Sequence, residues 1–290
     1  MNTTTNKNIF LLIVLALLAC FPCDSSAFYW QQVKAEHFIV NYTENKTFAE
    51  EVLNNAENYY NTIADRLGYQ RYSDFWTWDK RVNIFVYPDH SSYTQATGQM
   101  EWADGKADYK NKQISMYAGD VKFFKRVLPH EIAHLMFRDF IGIKTKIPLW
   151  IDEGVATSVA APNEDEIYAD MKNEIKKLYD KSALLTLNDM MKLDFKKSST
   201  QATVHDVLMK DNSPGYLFLS PTNFLTVYYI EAASIISFLR DRYGVERFAL
   251  FCRELRDGKT VEAALANAYP EECPDVKKLE EKWRQSIAEE

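Results

Sequence analysis

Val127-Leu128-Pro129-His130-Glu131-Ile132-Ala133-His134-Leu135-Met136-Phe137 is the stretch on which the fold turns. On a helix, His130 and His134 stand one turn apart and share a face, so two imidazoles can meet one ion. Glu131 lies beside that face, where a carboxylate can reach a metal-bound water without ligating the metal. Leu128, Ile132, Leu135, Met136 and Phe137 supply the apolar body that a buried helix requires. Nineteen positions after His134, Glu153 sits in Trp150-Ile151-Asp152-Glu153-Gly154. Pro148 opens this second helical stretch, residues 149–161, and Pro162 closes it. Gly154 would let the second helix approach a neighbour closely. Two nitrogens and one carboxylate oxygen suit a single Zn²⁺ and leave a fourth position for water, which is a catalytic set rather than a closed structural one.

Pro129 leaves one point open. If the first helix begins near Val121, the proline removes the hydrogen bond to the Lys125 carbonyl and should kink it; if it begins near Leu128, Pro129 is an ordinary first-turn residue.

Upstream, residues 37–42 read as a β-strand from their aromatic and β-branched content. Val52, Leu53, Ala56, Tyr59, Tyr60, Ile63 and Leu67 keep helical spacing, with Gly68 as the stop. A second strand spans 82–87 and ends at Pro88. Residues 99–103 and 113–117 read as two more, joined by a loop with Asp104-Gly105 and Asn111 as turn residues. The class is α+β: a small mixed β-sheet packed on helices, ahead of a helix pair that binds the metal.

Downstream the pattern is almost wholly helical. Residues 164–180 form a charged, partly exposed helix, and 184–188 a loop leading into a short one. Residues 194–223, rich in Ser, Thr, Asn, Asp and Pro, read as a mobile loop near the cleft. Helices follow over 226–243, 245–257, 260–269 and 275–288, the last with Asp275 as N-cap.

With Glu153 in a Glu-Gly pair, the His130-Glu131-x-x-His134 motif resembles that of the gluzincin metallopeptidases. It is more similar still to the small bacterial proteins called peptidase MA-like, in which a leucine-rich His-Glu-x-x-His precedes Trp-x-x-Glu-Gly-x-Ala. Here that second element is Trp150-Ile151-Asp152-Glu153-Gly154-Val155-Ala156. The flanking strands and Leu67-Gly68 match in pattern, as do Tyr229-x-x-Ala232, Phe238-Leu239, Tyr243-Gly244 and Trp283, so the resemblance spans roughly residues 35 to 287.

The resemblance implies a thermolysin-like zincin catalytic core over 28–290, with an α+β lobe to about 140 and a helical C-terminal lobe from about 141. It implies a zinc metallopeptidase acting on a peptide or protein substrate, endopeptidase rather than aminopeptidase. Zinc lowers its water's pKa to about 7, and Glu131 takes the proton. The oxyanion then needs a donor besides zinc. Tyr229 is the candidate, because Tyr229-Ile230-Glu231-Ala232 resembles the Tyr-x-x-Gly helix start of related aminopeptidases, with Ala for Gly. Core packing is the alternative for Tyr229 and the expectation for Tyr228.

The segment 99–103 precedes the zinc helix by about the distance of the gluzincin substrate-binding edge strand, where a peptide could add by β-augmentation. Gly98-x-Met100-Glu101 also partly resembles an amine-anchoring motif, with Trp102 in place of its final Asn. Asp152 could orient a zinc histidine, though a solvent-exposed or capping role is the default expectation. Surface or hydrogen-bonded roles are the expectation for His37, His90 and His205. A rival from another class is a cell-envelope binding or assembly protein that keeps the fold without turnover.

Residues 1–27 stand apart. Ile9 to Ala19 is an apolar run behind one lysine, too short to span a membrane and right for a signal-peptide core, with Ser25-Ser26-Ala27 supplying small residues for cleavage. The chain is expected to be exported; Leu17-Leu18-Ala19-Cys20 offers lipid anchoring at Cys20 as the alternative. Cleavage after Ala27 removes Lys7 and Asp24 and keeps the net charge of −7, which with no basic cluster argues against nucleic acid as partner. It also leaves Cys252 and Cys273, which export permits either to pair or to remain free.

Overall fold

The computed structural model describes residues 28–69, 76–77, 80–119, 121–160 and 164–289; residues 1–27, read above as a signal segment, lie outside them. A five-stranded sheet forms the first half, ordered β1 (Gln31–Lys34), β2 (Phe38–Tyr42), β3 (Val82–Tyr87), β5 (Gln113–Tyr117) and β4 (Gly105–Asp108). β2, β3 and β5 run parallel at its centre, while β1 and β4 lie antiparallel at its edges. The class is mixed α+β, as the sequence implied.

Helix α1 (Lys46–Arg66) begins six residues ahead of Val52, the first position of its apolar stripe. Asn45 caps it, its side chain accepting from the Phe48 N–H. Gly68, at φ +70°, takes up the left-handed turn that a β-carbon would strain. α1 packs against α3 (Val121–Ile141) beside the sheet.

Two readings upstream of α3 need correction. A helix, α2 (His90–Thr97), follows β3; Asp89 caps it and Gly98 ends it in the left-handed region. Residues 99–103 are not a strand. They form a turn in which the Ala103 N–H donates to the Met100 carbonyl. The edge strand begins instead at Gly105, read above as a turn residue. A β-carbon there would stand 2.6 Å from Val127 Cγ1 and 2.8 Å from Glu131 Oε1. Glycine is present because the strand's backbone presses on α3, not because the chain turns there.

The second half packs α4 (Leu149–Val159) against α8 (Pro221–Tyr243), with α5 (Glu164–Asp180), α9 (Val245–Arg256) and α11 (Val276–Glu289) around them and α10 (Val261–Ala268) on α9. Trp150, Ile151, Val155 and Ala156 are fully buried, and each large side chain so buried contributes about 1.5–3 kcal/mol relative to exposure. Among the described residues α8 alone is long and apolar enough to cross a membrane, yet it is a core helix: Phe224, Tyr228, Ala232, Ile235, Ile236 and Leu239 are buried. One apolar cluster runs through both halves.

Residues 194–223 are not a loop. α6 (Leu187–Lys192) and the single turn α7 (Phe195–Ser198) lead into an antiparallel hairpin, β6 (Thr203–Leu208) and β7 (Pro214–Leu219). The hairpin has a period of two, in which His205 and Val207 point inward and Val204 and Asp206 outward. Asn212, at φ +64°, carries the turn. α8 therefore starts five residues earlier than its apolar pattern suggested, at a Ser220 cap followed by proline. Asp275 caps α11 as expected, accepting from the Lys278 N–H at 2.7 Å.

Candidate metal centre

α3 runs unbroken from Val121, so Pro129 lies in its interior and the Lys125 carbonyl loses its helical donor. His130, directly after the proline, and His134, one turn further on, present Nε2 atoms 3.1 Å apart. α4 brings Glu153 to the same point: its Oε2 is 3.3 Å from His134 Nε2 and 3.5 Å from His130 Nε2. That oxygen is buried and has no hydrogen-bond partner among the described residues. Three lone-pair atoms thus close a small triangle that could hold a metal ion.

The charges around the triangle favour a cation. Burial disfavours an imidazolium at His134, but the Glu153 and Asp152 carboxylates outweigh it and raise the His134 pKa well above its ordinary value. Burial would likewise raise Glu153, yet His134 and His130 hold its carboxyl far below the usual range. The pocket stabilises positive charge, whether carried by protons or by a metal.

Asp152 is neither exposed nor a cap. It is 3 % exposed, and its Oδ1 lies 3.1 Å from His134 Nδ1. Its Oδ2 accepts from Arg138 Nε at 2.9 Å and from Nη2 at 2.6 Å. Arg138 also donates through Nη1 to the Thr145 carbonyl and lies over the Tyr109 ring. Burial pushes Asp152 up, but His134 and Arg138 bring its pKa below the ordinary value, so it is ionised at neutral pH. A carboxylate only accepts, which keeps a proton on His134 Nδ1 and makes Nε2, turned toward the triangle, the nitrogen that gives up its proton when a metal binds. The orienting role is the one the geometry supports, and Arg138 is its missed partner. Its signal was there: Arg138 is four residues after His134, on the same helix face.

Glu131 is buried beside the triangle, where Gly105 of β4 touches it. Burial holds its carboxyl above the ordinary range, against the pull of His130 and His134. The Tyr229 ring lies 6.3 Å from the His130 ring. Burial, then the charges of Glu153 and Glu131, push its phenol up, so the hydroxyl keeps its proton and remains a donor. Tyr228 is fully buried and its hydroxyl has no partner among the described residues, as a packing residue would be.

Gly154 makes the arrangement possible. A β-carbon there would stand 2.4 Å from the Ala232 carbonyl oxygen and 2.7 Å from Ile236 Cγ1, so α4 and α8 meet at backbone distance.

The other sequence candidates lie elsewhere. His37 pairs with Glu57 and stacks on Tyr60; His90 packs on Tyr117. His205 is buried, hydrogen-bonded with Asp189 and Thr203 and stacked on Phe224. Glu101 is exposed in the turn before β4. Cys252 and Cys273 are both free and buried. No protein-family profile matches the chain, and no curated protein matches it.

Proposed function

We propose that this chain is an exported zinc metallopeptidase with a thermolysin-like catalytic core, of the gluzincin kind. The observation that carries the reading is the triangle of His130 Nε2, His134 Nε2 and Glu153 Oε2, with edges of 3.1, 3.3 and 3.5 Å. Tetrahedral zinc with nitrogen and oxygen ligands sets its donor atoms roughly 3.3 Å apart. An orphaned buried carboxylate oxygen and an Nδ1-tethered histidine are what such an ion would occupy and be held by.

Bound there, zinc would act as a Lewis acid and lower a water's pKa to about 7. The chain's own groups supply the rest. Glu131, shielded from solvent and held above the ordinary carboxylate range, takes the proton from the attacking water and can deliver it to the leaving amine. Tyr229 donates its hydroxyl to the oxyanion. Asp152 and Arg138 hold His134 in the tautomer that presents Nε2. β4 ends the sheet with one edge unpaired among the described residues, and its backbone runs beside Glu131. The peptide-binding edge expected at 99–103 thus belongs to Gly105–Asp108, where an extended substrate can add as a further strand.

A digest of a peptide library tests this. Zinc-loaded protein should cleave, chelator should abolish cleavage, and Glu131→Gln should keep zinc while losing turnover. Cleavage by Glu131→Gln at the wild-type rate would remove Glu131 as the base.

A further inference from the structure

α8 carries two stripes. Tyr229, Ala232 and Ile236 recur at i, i+3 and i+7 and face His130 and α4. Ser234, Ser237 and Asp241 repeat that spacing five residues later, about 140° round the helix. The second stripe, with Phe238, meets α5 at Met171, Lys172 and Ile175 and α11 at Trp283, Ser286 and Ile287. Each helix gives one face at helical spacing, and the three enclose a cavity of about 170 Å³. Its solvent-exposed margin is Lys172, Asp241 and Arg242. The metal centre lies on another side of α8.

The inner wall is mostly apolar, with Ile175, Trp283 and Ile287 buried and Phe238 half-buried. Two hydroxyls interrupt it. Ser234 Oγ accepts from Trp283 Nε1 at 3.0 Å, which leaves its own proton to give. Ser237 is 2 % exposed, and its Oγ has no hydrogen-bond partner among the described residues. Alanine would cover the same helix face without an unpaired hydroxyl withdrawn from water. A serine there costs stability unless something that enters the cavity bonds to it.

The margin sets the sign of that partner. Asp241 is engaged, since Arg240 donates to its two oxygens at 2.6 and 3.1 Å. Arg242 is exposed and makes no hydrogen bond or ion pair among the described residues. A guanidinium suits a carboxylate, which it can meet with two parallel bonds. Volume sets the body: a cavity of roughly 150 Å³ lined by aliphatic and aromatic side chains holds one benzene ring, so a phenyl or isobutyl group fits this one.

We propose that this cavity binds a small apolar carboxylate, supplied as a free acid or as the C-terminal residue of a peptide. The apolar body lies among Ile175, Phe238, Trp283 and Ile287, and the carboxylate takes the Ser237 hydroxyl and the Arg242 guanidinium.

Calorimetric titration of the mature, zinc-loaded protein with isocaproate should show one saturable site with a Kd of about 0.1–1 mM. Isocaproamide, which lacks the charge, and acetate, which lacks the body, should each bind at least about tenfold more weakly. Ser237→Ala should raise the Kd roughly tenfold and Arg242→Gln roughly three- to tenfold. Melting temperatures of the ligand-free variants, equal to wild type or higher for Ser237→Ala, establish that both are folded. His134→Ala, which disables the proposed metal centre, should bind isocaproate as wild type does. Tighter binding of N-acetylleucine than of isocaproate supports a peptide end as the occupant, and weaker binding supports a free acid. Three results overturn the site: no saturation by about 10 mM isocaproate, tighter binding of isopentylamine than of isocaproate, or affinity that Ser237→Ala and Arg242→Gln both leave unchanged. Binding lost in His134→Ala alone moves the carboxylate to the metal centre and overturns it as well.

Discussion

Asp152→Asn changes one atom and should still disable the metal centre. In the native protein Oδ2 accepts two hydrogen bonds from Arg138, at 2.6 and 2.9 Å, while Oδ1 lies 3.1 Å from His134 Nδ1. An asparagine has one oxygen to share between these neighbours. Facing Arg138 it accepts charge-assisted bonds of about 1.5–3 kcal/mol; facing His134 it accepts one neutral bond of about 0.5–1.5 kcal/mol. The oxygen therefore stays on Arg138 and the amide NH₂ points at Nδ1. That nitrogen must then accept, which moves the ring proton to Nε2 and removes its lone pair from the triangle. Binding a metal requires the reverse tautomer, with two donors face to face. The cost is about 1.5–3 kcal/mol, roughly 10- to 150-fold in affinity, in the range known for groups that orient metal-bound histidines. Competitive titration of zinc against a chromogenic chelator at neutral pH measures it, with the metal-free melting temperature as the control for folding. A folded Asp152→Asn protein that binds zinc within about twofold of wild type would refute the tautomer argument.

Gly154→Ala places a carbon 2.4 Å from the Ala232 carbonyl oxygen, so α4 and α8 must separate; denaturant unfolding should show a loss of about 1–3 kcal/mol, with weaker zinc binding because Glu153 moves too. Glu231 is buried, with its pKa raised well above the carboxylate value chiefly by burial and against the pull of Arg284. Its contribution to stability is complete below the unfolded pKa and is lost as pH rises through the folded one. Glu231→Gln does not titrate and keeps an oxygen for the Leu185 N–H, so its melting temperature should gain on wild type as pH rises from about 4.5 toward neutral. Tyr229→Phe should lower turnover by roughly two to three orders of magnitude with zinc content unchanged. Tyr228→Phe removes a buried hydroxyl with no partner among the described residues, so turnover should hold and stability should hold or rise.

The three residues that could hold a metal were legible because helix periodicity alone brings His130 to His134, and Pro148 with the apolar run after it marks a second helix that carries Glu153. The central strands and α1 were legible for the same reason: each shows its own period in its own residues. What escaped was decided by contacts between elements. Gly105 reads as a turn residue until α3 is placed against it. Asp152 reads as an exposed carboxylate until Arg138 and His134 are seen to share it. The β6–β7 hairpin escaped by another route, since its outward face carries Val204, Tyr216 and Phe218, exposed at 63, 80 and 69 %. Apolar residues outside and a histidine inside invert the pattern by which a strand is recognised.

The same dependence on contact explains why the site is as precise as it is. Glu153 and Tyr229 sit on different helices, and their spacing is not set by either helix alone. It is set where Gly154, the residue after the ligand, meets Ala232, three residues after the tyrosine and one turn along α8. Bringing the two backbones into contact there fixes how far the Glu153 carboxylate and the Tyr229 hydroxyl stand from each other and from α3. A larger residue at Gly154 would push Glu153 and the proposed oxyanion donor apart together. The alanine found where the resemblance led one to expect glycine is tolerated for a stated reason. The close approach is made by the Ala232 carbonyl, an atom that every residue has, and the missing β-carbon that permits it is on Gly154.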